Sequence, residues 1–168
     1  MSTGEGEVLR KLALLMATVA LVAVSVAAPA FGAGGRNYTA RLSGDAEVPT
    51  PTSSEATGKA TFTLAKDGTV LSYKVTVNKA ESMSTGVVQA YIHLGPVDVV
   101  GPVVVNLAPS QGVAKGVLAE GIITSSNLLG SLQGQPLGDL IAEIEAGNTY
   151  VNLHTTAFPA GEIRGQIN

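Results

Sequence analysis

The chain has 168 residues, and ten Lys and Arg against thirteen Asp and Glu give it a net charge of -3. This length favours a single domain. Because Lys and Arg do not outnumber Asp and Glu, the basic surface that drives nucleic-acid binding is excluded. Since there is no cysteine, disulfides, thiol catalysis and Cys-ligated zinc or iron–sulfur sites are excluded. Twenty glycines and eight prolines indicate many turns, and the scarcity of aromatic residues indicates an aliphatic core.

The N-terminus has the features of an export signal. Arg10 and Lys11 precede an uninterrupted apolar run at 12–28. The segment Ala28-Pro29-Ala30 then supplies the small-x-small pattern that signal peptidases cleave. An uncleaved signal anchor is the alternative, because the apolar run approaches the length that spans a bilayer.

This pattern divides the chain into three parts. We predict a signal peptide at 1–30, a flexible Gly-rich linker at 31–36 and one folded domain at 37–168. The protein is then expected outside the cell or in the cell envelope, and its contact with a membrane is through the signal segment during export.

Alternation of apolar and polar residues predicts β-strands through most of the domain. The clearest unit is a hairpin, in which an Asp-Gly turn joins strands at 57–64 and 70–77. Further strands are predicted at 38–42, 87–94, 103–107 and 112–118 with a short extension at 121–124, and in a final hairpin at 150–155 and 162–167.

One segment has helical periodicity. Between 136 and 146, Leu137, Leu140, Ile141 and Ile144 recur at the spacing of one helix face, and Gly147-Asn148 follows as a stop signal. Short strands, many turns and one short helix predict an all-β fold, an antiparallel β-sandwich or barrel of the immunoglobulin-like or superoxide-dismutase-like kind.

Both histidines of the chain lie in predicted strands. Alternation places His154 on the face opposite the core-facing Val151 and Leu153. It places His93 opposite the aliphatic side of its own strand. The polar and aromatic residues expected to share these faces are Gln89 and Tyr91 with His93, and Tyr150 and Asn152 with His154.

Two interpretations of the histidines remain open. Neutral imidazoles are common ligands of Zn²⁺ and Cu²⁺, so His93 and His154 form a candidate metal site if their strands are neighbours, with Asp98, Glu162 or water completing it. Alternatively, both histidines are structural and hydrogen-bond nearby backbone carbonyls or hydroxyls.

The C-terminal strand carries a second polar motif. Glu162, Arg164 and Gln166 share one face, which predicts a cross-strand salt bridge of Arg164 with a carboxylate on the solvated side of the sheet. The alternative is a recognition patch built together with the histidines. The motifs of serine hydrolases, zinc proteases and phosphate-binding loops do not occur in the sequence, so we expect no enzymatic activity.

Three ordered segments resemble the CHRD domain, which is named after chordin and occurs in many bacterial exported proteins. The segments ARLSGDAEVPTP (40–51), AYIHLGPVDVVGPVVV (90–105) and YVNLHTTAFPAGEIRGQIN (150–168) are similar to its patterns A-x-L-S-G-x-x-E-V-P-P, H-I-H-x-G-P with G-P-V-V-V, and Y-V-N-x-H-T with P-x-G-E-I-R-G-Q. The resemblance extends from Tyr38 to the C-terminus. One departure is Tyr91, which stands where the family has the first histidine of H-x-H.

The resemblance implies an exported, non-enzymatic β-sandwich module that binds an extracellular or envelope partner. Because the family's H-x-H is similar to the ligand pair of copper–zinc superoxide dismutase, the alternative is a Cu- or Zn-binding protein that uses His93 and His154. With Tyr91 in place, two of three imidazoles remain. Residues expected on a ligand-binding or structural face are Tyr91, Asn152, Glu162 and Arg164.

Overall fold

The computed structural model describes residues 35–78, 87–107 and 116–168. The expected signal segment at 1–30 lies outside these residues, as do most of the linker and the expected start of the strand at 112–115. No helix within the described ranges is long and apolar enough to cross a membrane.

The described residues form an all-β domain with one α-helix, as the sequence predicted. Most strand bounds agree with the predicted ones to within one or two residues. The elements are β1 (Asn37–Ser43), β2 (Thr57–Leu64), β3 (Leu71–Asn78), β4 (Val87–Leu94), β5 (Val103–Asn106), β6 (Gly116–Ile123), α1 (Leu137–Glu145), β7 (Thr149–Thr155) and β8 (Ile163–Gln166).

The eight strands make one antiparallel sheet that curves into a nearly closed barrel, in the order β5-β4-β7-β8-β1-β2-β3-β6. The order places β4 and β8 on either side of β7, so the strands that carry the two histidines are neighbours. Tyr91 pairs with Asn152 and His93 pairs with Tyr150 across the β4–β7 ladder. On the other side of β7, Asn152 pairs with Arg164.

The core is aliphatic, as the composition predicted. Alternate residues of the strands fill it, and Phe62, Ile92 and Leu153 are among its fully buried side chains. Each such side chain contributes roughly 1.5–3 kcal/mol of apolar burial. The helix packs its predicted apolar face into this core. The buried residues of that face are Leu137, Leu140, Ile141 and Ile144.

The second face of β7 and β8 is buried as well, so the expectation of a solvated side is wrong. All seven residues of β7 are buried, and Arg164 on β8 is only 3% exposed. Loops around 44–52, 95–102 and 156–161 lie over this face. Its polar side chains hydrogen-bond the backbones of the last two loops, and Asn152 donates to the side chain of Glu47 in the first. The sheet is therefore covered on both sides at this end.

Candidate functional site

A group of polar and aromatic side chains, here called the polar cluster, lies on the face of β4, β7 and β8 that is turned away from the aliphatic core. The pairing of these strands brings together residues from distant parts of the sequence. The members of the polar cluster are Tyr91, His93, Tyr150, Asn152, His154 and Arg164.

The two imidazoles lie side by side within the polar cluster. Their planes are within 6° of parallel, and their ring centroids are 5.9 Å apart. His93 Nδ1 donates to the carbonyl of Gly101 at 2.8 Å, and His154 Nδ1 donates to that of Pro159 at 2.8 Å. Because a carbonyl only accepts, both protons are fixed on Nδ1, and Nε2 of each neutral ring is a free acceptor. Neither Nε2 has a hydrogen-bond partner in the described part of the chain.

Both histidines are held in the neutral form. Burial lowers the pKa of His93 and of His154, against the opposing effect of the carbonyls that accept their Nδ1 protons. The charges of His154 and Arg164 lower the pKa of His93 further. The pair therefore presents two unprotonated nitrogens at neutral pH.

Tyr91 packs edge-on against both histidines. Its ring meets that of His154 edge-on at 5.2 Å between centroids, and that of His93 edge-on at 5.9 Å. This is the position where the family pattern has another histidine. A half-buried phenol ring thus occupies the place of a third imidazole.

The carboxylates expected to complete a metal site do not join the histidines. Glu162 is buried, and its two carboxylate oxygens accept hydrogen bonds from Ser54 at 2.8 Å and Thr155 at 2.6 Å. Asp98 lies in an exposed turn. Within the described ranges, no three or more His, Cys, Asp or Glu residues are placed to hold a metal ion together. A site at the histidines would therefore have two protein ligands of these types.

Arg164 holds a loop and makes no solvated cross-strand salt bridge, contrary to the sequence-based prediction. Its guanidinium carbon lies 3.4 Å from the ring centroid of Tyr150. The guanidinium donates to the carbonyl of Val99 at 3.0 Å and to that of Pro96 at 3.1 Å. Burial lowers the pKa of Arg164, but a guanidinium is basic enough to remain charged at neutral pH.

The loop that Arg164 holds comprises residues 95–101 and is here called the valine loop. Gln166 also donates to the carbonyl of Gly95, at 2.9 Å, and the Tyr150 hydroxyl accepts from the amide of Gly101 at 3.0 Å. Gly101 is required, because a Cβ there would lie 1.7 Å from the carbonyl oxygen of Leu94. Both ends of the valine loop are therefore anchored to the barrel.

The centre of the valine loop is apolar and exposed. The amide of Val99 donates to the Pro96 carbonyl at 3.3 Å and closes a turn in which Asp98 has a φ of 65°. Asp tolerates this left-handed conformation better than most residues. The exposed fractions are 63% for Val97, 45% for Val99 and 64% for Val100. The sequence-based predictions for this segment concerned Asp98 and the resemblance to a family motif, and they did not include an exposed apolar loop, although valines framed by two Gly-Pro pairs were a visible signal.

A buried acid at the edge of the polar cluster was also missed. Glu47 is 4% exposed, and Asn152 Nδ2 donates to its Oε2 at 3.4 Å. Burial raises the pKa of Glu47 to about 7, although the charge of Arg164 and the hydrogen bond from Asn152 act in the opposite direction. The sequence placed Glu47 in a loop, where an acid is ordinarily solvated.

Comparison with known proteins identifies a family. The family model of the CHRD domain matches residues 38–167, which include the polar cluster and the loops over it. No curated protein and no solved structure matches the chain. The CHRD domain is not a known enzyme family.

Proposed function

The chain belongs to the CHRD domain family, and on that premise we propose that it is an exported, non-enzymatic binding module that contacts a protein partner in the cell envelope or outside the cell. The observation that carries the proposal is the valine loop. It presents three exposed valines on a backbone that buried side chains hold in place.

The exposure of three valines on one loop supports a binding role. A contiguous set of apolar side chains on a surface loop marks an interaction site more often than single exposed residues do. Six large apolar side chains are exposed in the described ranges, and three of them lie in the valine loop. Binding would remove them from water.

The anchoring of the loop also supports a binding role. Association is weakened by the entropy lost when a mobile segment becomes ordered. The contacts of Arg164 and Gln166 hold the backbone of the valine loop before any partner arrives. In this account the polar cluster supports the binding loop and does no chemistry.

Site-specific photo-crosslinking in the native cells tests the proposal. A photoreactive residue at Val97 should form an adduct with one envelope or extracellular protein. The matched control is the same residue at Lys66, which is exposed in the turn between β2 and β3. An adduct formed equally from both positions, or none from Val97, would contradict the proposal.

A second function, metal binding at His93 and His154, is favoured by one observation. Metal-bound histidines typically donate their other ring N–H to a carboxylate or carbonyl, as both do here. Metal–nitrogen distances of about 2.0 Å place the centroids of two histidines on one ion roughly 5–6 Å apart. The observed separation of 5.9 Å lies within that range. A shared Cu or Zn ion would need the two Nε2 atoms to converge on it, with water or another molecule completing its coordination.

A further inference from the structure

The outer face of β1 and β2 carries two cations that lie directly opposite each other. Arg41 on β1 pairs with Lys59 on β2 in the antiparallel register, and both residues are exposed. Directly paired residues of an antiparallel sheet have Cβ atoms about 4.5–5.5 Å apart, and like charges in such a pair are destabilising. The stability of the sheet therefore gives no reason for placing Arg41 beside Lys59.

These two cations also lack an acidic partner. Arg41 and Lys59 form no ion pair with any residue that the structure describes. Elsewhere on the same sheet, Lys74 of β3 lies opposite Glu120 of β6 and pairs with it at 3.6 Å. The sheet thus places an acid opposite one cation, whereas at Arg41 it places a second cation.

A surface depression of about 500 Å³ opens beside the two cations. Arg41 and Lys59 line it together with Ser43, Thr57 and Asn78, which are neighbours where β1 ends, β2 begins and β3 ends. The hydroxyl and amide groups of these three residues can donate hydrogen bonds. Because Thr57 and Asn78 are exposed like the two cations, the lining groups are open to a ligand in solution.

Two acids lie close to this depression without lining it. Asp45 and Glu55 line a neighbouring depression, which shares Ser43 and Thr57 with the first. Their negative charges act against an anion bound at Arg41 and Lys59. Removing both acids should therefore strengthen the binding of an anion and weaken the binding of a cation.

We propose that the depression at Arg41 and Lys59 binds a phosphate group. A guanidinium presents a planar fork of donors that matches two phosphate oxygens, and an ammonium adds a compact second charge. The hydroxyls of Ser43 and Thr57 and the amide of Asn78 serve the remaining oxygens. The valine loop contributes no residue to this site, so the proposal does not rest on the partner contact proposed above.

The proposal is tested by titrating the purified protein with inorganic phosphate at pH 7 and constant ionic strength, and following backbone amides by ¹H–¹⁵N NMR. Because the site is exposed to water and salt, we expect saturable shifts with a Kd of about 1–10 mM, largest at amides 41–43, 57–59 and 78. Acetate, a planar anion with a single charge, should bind at least fivefold more weakly.

Variants separate this site from the general charge of the protein. Arg41→Gln and Lys59→Gln should each weaken phosphate binding at least fivefold. The matched control is Lys66→Gln, which removes one exposed charge from the turn between β2 and β3 and should change the Kd less than twofold. The double variant D45N/E55Q should bind phosphate more tightly than the parent.

Two further probes identify the source of the phosphate group, which free phosphate, soluble phosphodiesters and lipid headgroups all carry. Dimethyl phosphate represents a soluble phosphodiester. Vesicles of phosphatidylglycerol, compared with vesicles of phosphatidylcholine, represent an anionic lipid surface. Cosedimentation with the first vesicles alone, lost in Lys59→Gln, would assign the group to a lipid, and its absence would assign it to a soluble phosphate.

Several results would overturn the proposal: no saturable shift up to about 50 mM phosphate, equal affinity for acetate, or equal weakening by Lys66→Gln and Lys59→Gln. Weaker binding by D45N/E55Q would also contradict it. Since Arg41 and Lys59 are exposed, their variants should melt within about 2 °C of the parent. If either failed to fold, acetate and D45N/E55Q would decide.

Discussion

The guanidinium carbon of Arg164 lies over the ring of Tyr150, 3.4 Å from its centroid, and both side chains hold the same loop. Arg164 donates to the carbonyls of Pro96 and Val99, and the Tyr150 hydroxyl accepts from the amide of Gly101. A cation over an aromatic face contributes about 2 kcal/mol when it is desolvated. A buried charge in β8 therefore determines the conformation of an exposed apolar loop.

Arg164→Lys tests this anchoring. An ammonium cannot reproduce the planar contact with Tyr150 together with two carbonyl hydrogen bonds. We expect a loss of roughly 2–4 kcal/mol in the free energy of unfolding, and faster hydrogen exchange at the hydrogen-bonded amides of Val99 and Gly101. Denaturant melts and exchange rates measure the two effects.

Lys74→Ala is the matched control for Arg164→Lys. Lys74 pairs with Glu120 at 3.6 Å, but both side chains are substantially exposed. Such a surface pair contributes less than about 1 kcal/mol. Unchanged exchange in the valine loop of the Arg164→Lys variant would show that other contacts hold the loop.

Core packing in β7 is tested by comparing neighbouring residues. Leu153 is completely buried, and Leu153→Ala should cost roughly 2–5 kcal/mol of stability. His154→Ala should cost less, about 1–3 kcal/mol, because it removes one hydrogen bond to Pro159 and a ring that lies outside the aliphatic core. If chemical denaturation ranked His154→Ala as the more destabilising change, the phase of β7 would be wrong.

Glu47 makes stability depend on pH in a defined direction. Its pKa is about 7 in the folded chain and 4.5 when unperturbed, so the folded state binds the extra proton. The resulting stabilisation is complete below pH 4.5, is lost as pH rises through 7, and is on the order of 3 kcal/mol. The histidines act oppositely, because burial lowers their pKa values. Relative to strongly acidic pH, their contribution to stability is complete above about pH 6.5 and is lost as pH falls through the lowered values of the folded state.

The variant E47Q isolates the contribution of Glu47. The unfolding free energy of E47Q minus that of the parent should be larger at pH 8 than at pH 5. At pH 8 the parent must bury a charged carboxylate, whereas the glutamine of E47Q is neutral. The histidines are the same in both proteins and cancel in the comparison. A difference in unfolding free energy that is constant from pH 4 to 8 would contradict the raised pKa.

Metal binding at the histidines predicts a shift in melting temperature. Zn²⁺ or copper ions at pH 8 should raise Tm, because a ligand of the folded state alone stabilises it by mass action. His93→Ala and His154→Ala should each abolish the shift, and Tyr91→His should enlarge it by adding a third imidazole. Because burial lowers the pKa of both histidines, binding should persist below about pH 6.5 before protonation abolishes it.

Two results would remove the metal hypothesis. One is a melting temperature that neither ion changes at pH 8. The other is a shift that survives in the His93→Ala variant. The variant Lys59→Ala, changed at an exposed residue, serves as the control: its metal-induced shift in Tm should equal that of the parent.

The alternation of residues was sufficient to predict the strands and the core. Ile92, Val151 and Leu153 lie inside as their spacing predicted, and the Asp-Gly hairpin lies where the turn chemistry placed it. Alternation also placed His93 and His154 each on the side of its own strand opposite the core. These features are local, and a period of two residues determines them.

The loops that cover the second face come from distant parts of the sequence, and the sequence-based reasoning did not predict this cover. Arg164 is buried because the distant carbonyls of Pro96 and Val99 reach it, and Glu47 is buried beside Asn152 of another strand. A polar residue that alternates with a core residue has the same pattern whether water or a loop covers it. Only the fold distinguishes the two cases.

The most direct test of the central claim is the affinity of the partner captured at Val97. Val97→Ser combined with Val100→Ser should raise the Kd at least tenfold by isothermal calorimetry and leave Tm within about 2 °C of the parent, because both valines are exposed. Val117→Ser, a change at an exposed valine on β6 outside the loop, should leave the Kd unchanged. An unchanged Kd in the double variant, or an equal loss with Val117→Ser, would contradict the valine loop as the binding site.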